Sequence, residues 1–316
     1  MLSRVADSLY WMSRYMERSD GILRMLKVNY AYSQDSIMEF SWKPVLRLFT
    51  YVEGAEAKQL ETNPRAILQY IVTDKGNPNA VVNIVTKARE NARSVQDHIT
   101  KELWQCLNDY YHTTKEEWLT HWLQKDDPIT ILDVLIKQGL LYYGTADITM
   151  SRGEGYSFMN IGKFLERAIL SVDLLNVRFI NNQYEIDPVA DAPYWKYLLL
   201  SIAGYELYLK TYRSGFDVRN VVEQVVLNNH FPRSIIYSIT RLQRYFDRLK
   251  QDGKVNNYQQ LDFMIGKLLS KVRYSTPESI ISQNLHQYLL DIKNDLFDIA
   301  NALNLCCFDI LKPERS

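Results

Sequence analysis

The sequence predicts an all-α protein: an internally duplicated helical bundle whose two half-repeats, residues 1–150 and 151–316, stand in a pseudo-twofold arrangement and fuse into one compact unit. Three observations predict it. Helix breakers are scarce, with 12 glycines and 9 prolines in 316 residues, while Leu, Ile, Lys, Glu, Gln and Arg are abundant. Apolar residues recur at helical spacing along most of the chain, and no alternating pattern bounded by hairpin turns interrupts them. The third observation is a stretch that occurs twice. Tyr10-Trp11-Met12-Ser13-Arg14-Tyr15-Met16-Glu17-Arg18 and Phe158-Met159-Asn160-Ile161-Gly162-Lys163-Phe164-Leu165-Glu166-Arg167 each lead an aromatic and basic run into a Glu-Arg pair and an apolar tail. At an offset of 149 residues (166 minus 17), Arg14 meets Lys163, Tyr15 meets Phe164, Met16 meets Leu165, and Leu26 meets Leu175.

Taken in order, residues 3–32 read as one long amphipathic helix. With Glu17 as origin of a wheel of about 100° per residue, Met12, Tyr15, Met16, Ile22, Leu23 and Leu26 lie opposite it. Tyr10, Arg14, Asp20 and Arg24 gather on its own side, which predicts a separate charged face. Residues 40–61 predict a second helix, through Trp42, Val45, Leu46, Phe49 and Val52. Asn63-Pro64 starts a short one over 64–72, and residues 73–78 form a loop rich in turn formers. Helical periodicity resumes over 79–109, a shorter helix surrounds Trp118 and Trp122, and Asp127-Pro128 opens another that reaches about residue 146.

The second half repeats this order. A helix over 154–180 carries Glu166, residues 181–193 form a polar linker, and Trp195 opens a helix through Leu199, Ile202, Tyr205 and Leu209. Trp42 lies 36 residues before Pro78, and Trp195 lies 37 before Pro232; a matching helix follows each proline. Landmarks kept in order and spacing are the signature of duplication. Helices over 255–274 and 277–303 close the chain. In the second copy Met159, Ile169 and Leu170 surround Glu166 on the wheel, so that helix is apolar on nearly every side and is expected between other helices.

Composition narrows the function. An apolar share of 47% with 23% charged residues is that of a globular protein. Balanced charge, with 37 basic and 37 acidic residues, argues against a nucleic-acid partner, whose binding is dominated by phosphate neutralisation. No uncharged run approaches the ~18 residues of a membrane span. Cys106, Cys306 and Cys307 form no CxxC pair and His98, His112, His121, His230 and His286 are scattered, so no metal or cofactor site is expected. The low, odd cysteine count without a signal peptide points to the cytoplasm. GxSxG, Gly-rich phosphate loops, HExxH and Glu-x-x-His are all absent.

The candidate chemistry therefore lies with the duplicated acids. A carboxylate ringed by apolar neighbours needs a cation, a metal or a proton. Glu17 and Glu166 are candidate acid/base groups, or each is held by an arginine and sets helix register. Arg14, Arg18, Arg24, Lys163 and Arg167 supply the basic complement, which either forks an anionic substrate or forms a solvated face. Asn91 and Arg93 lie in a polar run with either a hydrogen-bonding duty or ordinary surface pairing, such as Arg93 with Asp97. Pro232-Arg233-Ser234 opens a helix, as an anion site or simply as a start. Among the 22 tyrosines, the pairs Tyr110-Tyr111 and Tyr142-Tyr143 and the trio Tyr205, Tyr208 and Tyr212 either line a groove or fill the core.

Several of these stretches together resemble the bacterial alpha-E proteins. They are residues 1–12 with Arg14-Tyr15-Met16-Glu17-Arg18, Glu90-Asn91-Ala92-Arg93-Ser94-Val95 through Trp104, Met150-Ser151-Arg152 with residues 158–168, and Pro232-Arg233-Ser234-Ile235. Ser19 stands where alanine is usual and Lys163 where arginine is usual. The resemblance implies an all-helical protein encoded beside a circularly permuted ATP-grasp ligase and a transglutaminase-like protease, hence a helical partner in work on peptides or amide bonds. It marks Arg4, Glu17, Arg18, Asn91, Arg93, Arg152, Glu166, Arg167, Arg233 and Ser234 as motif positions. The alternative is an enzyme acting on a peptide or amino acid, with Glu17 or Glu166 as acid/base and the arginines, with Asn91 and Ser234, holding substrate.

Overall fold

Two long helices set the frame, and the computed structural model describes them together with the rest of residues 1–34, 41–50, 52, 54–181, 192–213, 215–253 and 258–308. In chain order the helices are α1 (Ser3–Ser33), α2 (Lys43–Phe49), α3 (Gly54–Glu61), α4 (Pro64–Val72), α5 (Val81–Ser94), α6 (Lys101–Lys115), α7 (Glu117–Lys125) and α8 (Pro128–Thr149). They continue as α9 (Glu154–Asn181), α10 (Ala192–Ser201), α11 (Tyr205–Tyr212), α12 (Val218–Val222), α13 (Ile235–Gln251), α14 (Gln259–Arg273), α15 (Pro277–Ser282) and α16 (Leu285–Cys307). The described residues contain no strand, so the chain is all-α, and none of their helices is long and apolar enough to cross a membrane.

Local chemistry explains where helices start and stop. The Asn63 and Asp127 side chains accept the first free amides of α4 and α8, each with proline next in line, where its missing N–H costs nothing. The 73–78 loop is held by the Asn83 amide, which donates to the carbonyls of Asp74, Lys75 and Asn77.

Four predicted helices are broken in the structure, each by a local device. The 40–61 helix divides into α2 and α3, because Thr50 turns extended and Gly54 takes φ 65°; Phe40 lies outside the described residues. The 79–109 helix divides at a 3-10 turn over Gln96–His98, after which Thr100 caps α6 through the Leu103 amide. The helix predicted from Trp195 through Leu209 begins at Ala192 and breaks at Ala203 (φ 54°) and Gly204. A Cβ at Gly204 would lie 2.8 Å from the Phe231 ring, and the Gln224 amide donates to the Gly204 carbonyl at 2.6 Å. The 277–303 helix divides at Asn284, whose φ of 72° suits asparagine and whose side chain caps α16. α12 and the π-helical turn that follows it, Glu223–Leu227, were not expected. Most of the 181–193 linker lies outside the described residues.

The packing has a recurring plan. α1 lies along α9 and also contacts α5 and α8; α9 in turn contacts α13 and α16. α5 packs on α6 as α13 packs on α14, and α6 packs on α8 as α14 packs on α16. α1 and α9 come close because Gly162 has no side chain: a Cβ there would sit 2.3 Å from the Tyr10 carbonyl oxygen. Leu9, Met12, Met16, Ile22, Leu23 and Leu26 are sealed in the core around this crossing, each contributing about 1.5–3 kcal/mol by burial.

The charged face predicted for α1 is not solvated. Ser13, Arg14, Glu17 and Asp20 are all buried, because α8, α9 and Arg233, just before α13, cover that side of the helix.

Candidate functional site

Gly162 turns the same face toward α1 as Glu166, one turn further along α9. The close crossing therefore brings the acids of each helix within reach of the other's arginines. Arg167 donates from Nε to Glu17 Oε1 at 2.7 Å and from Nη2 to Oε2 at 2.9 Å, a forked pair. In the opposite sense Arg18 Nε donates to Glu166 Oε1 at 2.6 Å and Arg14 Nε to Glu166 Oε2 at 2.8 Å. Each Glu-Arg dipeptide is thus divided, its acid and its base reaching separately across the seam.

Further donors complete Glu17. The Tyr143 hydroxyl donates to Oε2 at 2.6 Å and Arg233 Nη1 to Oε1 at 3.3 Å, so both oxygens are fully engaged. Arg233 also reaches Asp20, which accepts from Arg24 as well. The Arg167 guanidinium and the Ser171 hydroxyl hold the carbonyls of Pro232 and Arg233, which fixes the start of α13 against α9.

These contacts decide what the acids can do. Burial alone would raise the Glu17 carboxyl, but the Arg167 and Arg233 charges and the hydrogen bonds outweigh it and hold the group at about 2. Burial likewise opposes ionisation of Glu166, and Arg14 and Arg18 overcome it and keep its carboxyl below the usual range. Both carboxylates are held ionised by arginines, Glu17 with two donors on each oxygen and Glu166 with one on each.

A cavity of about 320 Å³ opens beside Glu17, between α8 and α9. Tyr156, Asn160, Lys163 and Arg167 form its α9 wall at spacings of one, two and three turns. Leu140, Tyr143 and Asp147 line the α8 side, and Arg233 and Ser13 also border it. Lys163 sits here partly exposed, with no ion pair or hydrogen bond among the described residues; its ammonium lies over the Phe164 ring at 4.7 Å. Burial first, then the neighbouring Arg167 charge, push it down to about 8. Asn160 is buried and donates from Nδ2 to the Tyr156 carbonyl at 2.8 Å, which fixes its orientation and leaves Oδ1 without a donor. At the far side Asp147 accepts from the Tyr156 hydroxyl at 2.8 Å and from Arg152.

The ionic network is unbalanced. Three carboxylates (Glu17, Asp20, Glu166) are joined by direct pairs to five arginines (Arg14, Arg18, Arg24, Arg167, Arg233), and Lys163 adds a sixth cation. Asp147 and Arg152 offset one another at the mouth. Of these cations Lys163, Arg167 and Arg233 border the cavity, and of the three Lys163 alone has no ion pair among the described residues, so an anion entering there meets one uncommitted positive charge. Among the described residues no group of three or more His, Cys, Asp or Glu side chains is placed to hold a metal ion.

The sequence-derived candidates are only partly brought together. Glu17, Glu166, Arg18, Arg167 and Arg233 share the network, and Arg152 stands at the cavity mouth, over the Tyr156 ring at 4.2 Å. Arg4 is exposed at the start of α1. Asn91 donates back to the Lys87 carbonyl within α5, and Arg93 lies 3.6 Å from Glu90. The Arg93–Asp97 pairing does not form, because α5 ends at Ser94 and Asp97 lies in the turn beyond it. Ser234 caps α13, accepting the Tyr237 amide at 3.1 Å and donating to the Asn228 carbonyl at 2.6 Å, so it is occupied with the backbone. Tyr110, Tyr142 and Tyr208 are core residues, while Tyr142 and Tyr143 border the cavity. Asp20 and Asn160 were missed as site residues, whereas Lys163 was read within the basic complement and Tyr143 within a tyrosine pair that either lines a groove or fills the core. The readable signal was the polar series Tyr156, Asn160, Lys163 and Arg167 along one line of α9.

No solved structure matches the chain. Uncharacterised proteins from Mycobacterium bovis and Mycobacterium tuberculosis are each 24% identical over 167 residues, covering 51% of this chain and 18% of the relative. The chain thus spans less than a fifth of the length of these curated relatives. A family model described as a predicted alpha-helical domain with a conserved ER motif matches residues 1–308, and the chain, with its two divided Glu-Arg pairs, belongs to that family, Alpha-E.

Proposed function

We propose that the protein is a helical accessory of an ATP-grasp peptide-ligase or amide-bond-forming system, and that its α8–α9 cavity receives a carboxylate from a peptide or amino acid in that system. The single observation that carries the carboxylate reading is the unpaired Lys163 beside Arg167 and Arg233 in a partly enclosed space. An ammonium that is desolvated and lacks a counter-ion is a cost to the fold, and an incoming carboxylate removes that cost. The ligase, and with it the transglutaminase-like protease, enters by family resemblance.

In the same reading the chain is two half-repeats, 1–150 and 151–316, related by a pseudo-twofold and joined along α1 and α9. The reciprocal pairs Glu17–Arg167 and Glu166–Arg18 support this, since a twofold contact requires residue i to meet j and j to meet i. The equivalent contacts of α5, α6 and α8 with those of α13, α14 and α16 support it too. No disulfide joins Cys106, Cys306 or Cys307 among the described residues, in keeping with work in a reducing cytoplasm.

Co-expression with the ATP-grasp ligase of the same locus tests the accessory role. A stable complex, or a change in ligase turnover on adding the protein, is the expected result. Absence of both overturns it. A second reading, an enzyme acting on the bound peptide or amino acid, is favoured by Lys163 alone, an amine held close to neutral pH within reach of a ligand. It requires turnover by the isolated chain that Lys163→Met removes.

A further inference from the structure

Building on the carboxylate reading above, we infer that the α8–α9 cavity and the outer face of α8 form one composite site for the C-terminal end of a peptide: a free carboxylate beside Lys163, Arg167 and Arg233, its adjoining N–H given to Asn160, and apolar side chains laid over α8.

The polar half of the site asks for both groups. Arg167 and Arg233 already spend part of their hydrogen-bonding capacity on Glu17, Asp20 and Pro232, but Lys163 spends none among the described residues. A carboxylate is the smallest group that meets all three cations. Phosphate carries more charge than the single uncommitted cation calls for. Asn160 adds a different requirement. Its Oδ1 is a buried acceptor on the same wall as Lys163, one turn away, and its amide nitrogen is committed to the Tyr156 carbonyl. Such an acceptor calls for a donor. A ligand that carries a carboxylate with an N–H on the neighbouring carbon satisfies Lys163 and Asn160 together; a simple fatty or dicarboxylic acid does not.

The apolar half lies outside the cavity and continues from it. Leu140 borders the cavity and is 52% exposed; Leu141 is 55% and Ile148 85% exposed on the same helix. With Gly144 between them, residues 140, 141, 144 and 148 follow helical spacing, an apolar strip of α8 bounded by the exposed charges of Lys137 and Asp147. Scattered exposed leucines need no explanation, but a contiguous strip ending at a cationic cavity does. The occupant that fits both is a chain ending in apolar residues, with its terminus pointing into the cavity. A cavity of about 320 Å³ is at the small end of ligand sites, which suits a terminus rather than a whole peptide.

The chemistry has two sources, a peptide C-terminus or a free apolar amino acid, and calorimetric titration separates them. The probes are the acetylated hexapeptide Gly-Ser-Gly-Ser-Phe-Leu as free acid, the same peptide as C-terminal amide, and leucine. The free acid is expected to bind at least tenfold more tightly than the amide or leucine. Lys163→Met is expected to abolish that preference, and the double surface variant Leu140→Ser, Leu141→Ser to weaken the free acid several-fold while leaving the melting temperature unchanged. Equal binding of acid and amide, or no binding of either, overturns the inference. Leucine binding as tightly as the peptide overturns the peptide end and the role of α8. The ligase complex is scored separately: a complex that forms without peptide binding leaves the accessory role standing and removes only this site.

Discussion

Replacing Lys163 by methionine is expected to make the protein more stable while removing its preference for a carboxylate. The groups that face this amine come from each element around it: Glu17 on α1, Tyr143 and Asp147 on α8, Arg167 on α9, and Arg241 on α13, with Arg233 at the cavity edge. Burial and Arg167 outweigh Glu17 and Asp147 and bring the amine from 10.5 to about 8. That difference corresponds to about 3 kcal/mol at most of charged-form penalty in the folded state. Partial exposure of the amine reduces it, and the contact with the Phe164 ring returns about 0.5–1 kcal/mol. The expected net gain for Lys163→Met is therefore about 1–2 kcal/mol at pH 7. The sign of the pH dependence follows from the unfolded chain holding the proton more tightly. The penalty is full below pH 8, shrinks between pH 8 and 10.5, and is nearly gone above that window. Urea unfolding of both proteins at pH 7 and at pH 10.5 measures it. A variant that is less stable than the parent at pH 7, or a difference that is the same at both pH values, refutes the reasoning that Lys163 is an uncompensated cation.

Three other outcomes follow from the same contacts. Glu17→Gln strands Arg167 and Arg233 and should cost about 3–5 kcal/mol at neutral pH in chemical denaturation; because the folded carboxyl is depressed, the parent's advantage is full above pH 4.5 and declines as pH falls toward about 2, so the two unfolding curves should converge in acid. Gly162→Ala pushes a methyl into the Tyr10 carbonyl and should cost about 1–3 kcal/mol, whereas Gly144→Ala, with nothing within 4 Å, should be neutral or mildly stabilising in the same thermal melt. Ser234→Ala removes a helix cap and should lower stability by about 0.5–2 kcal/mol without changing the affinity for the free-acid peptide; an affinity loss there would return Ser234 to the binding site.

Much of the architecture was legible because it depends on periodicity, and the Glu-Arg repeat marked the two helices that became the centre. The missed breaks share one cause. Gly204, Asn284 and Thr100 act through close contacts, a positive φ or a single capping bond, none of which alters the apolar period of the helices they separate. The site was legible in Glu17, Glu166 and its five arginines, since buried charge demands partners. It was misread on α1, where the wheel divided charged from apolar faces but could not say that α8 and α9 would cover both. Asn91, Arg93 and Ser234 looked functional as members of polar runs, yet each is engaged with its own helix or its neighbouring loop. Asn160 escaped notice for the opposite reason: singly it is an ordinary helix residue, and only the α8 wall opposite makes it, with Lys163, part of a site.

Each Glu-Arg dipeptide is divided, its acid and base pairing across the α1–α9 seam rather than with each other. Double-mutant cycles on folding stability test it most directly, using Glu17→Gln with Arg167→Met and, in parallel, Glu17→Gln with Arg18→Met. The predicted result is a coupling of at least about 1.5 kcal/mol between Glu17 and Arg167 and a value near zero between Glu17 and Arg18. Coupling concentrated within the dipeptide, or none across the seam, would contradict it.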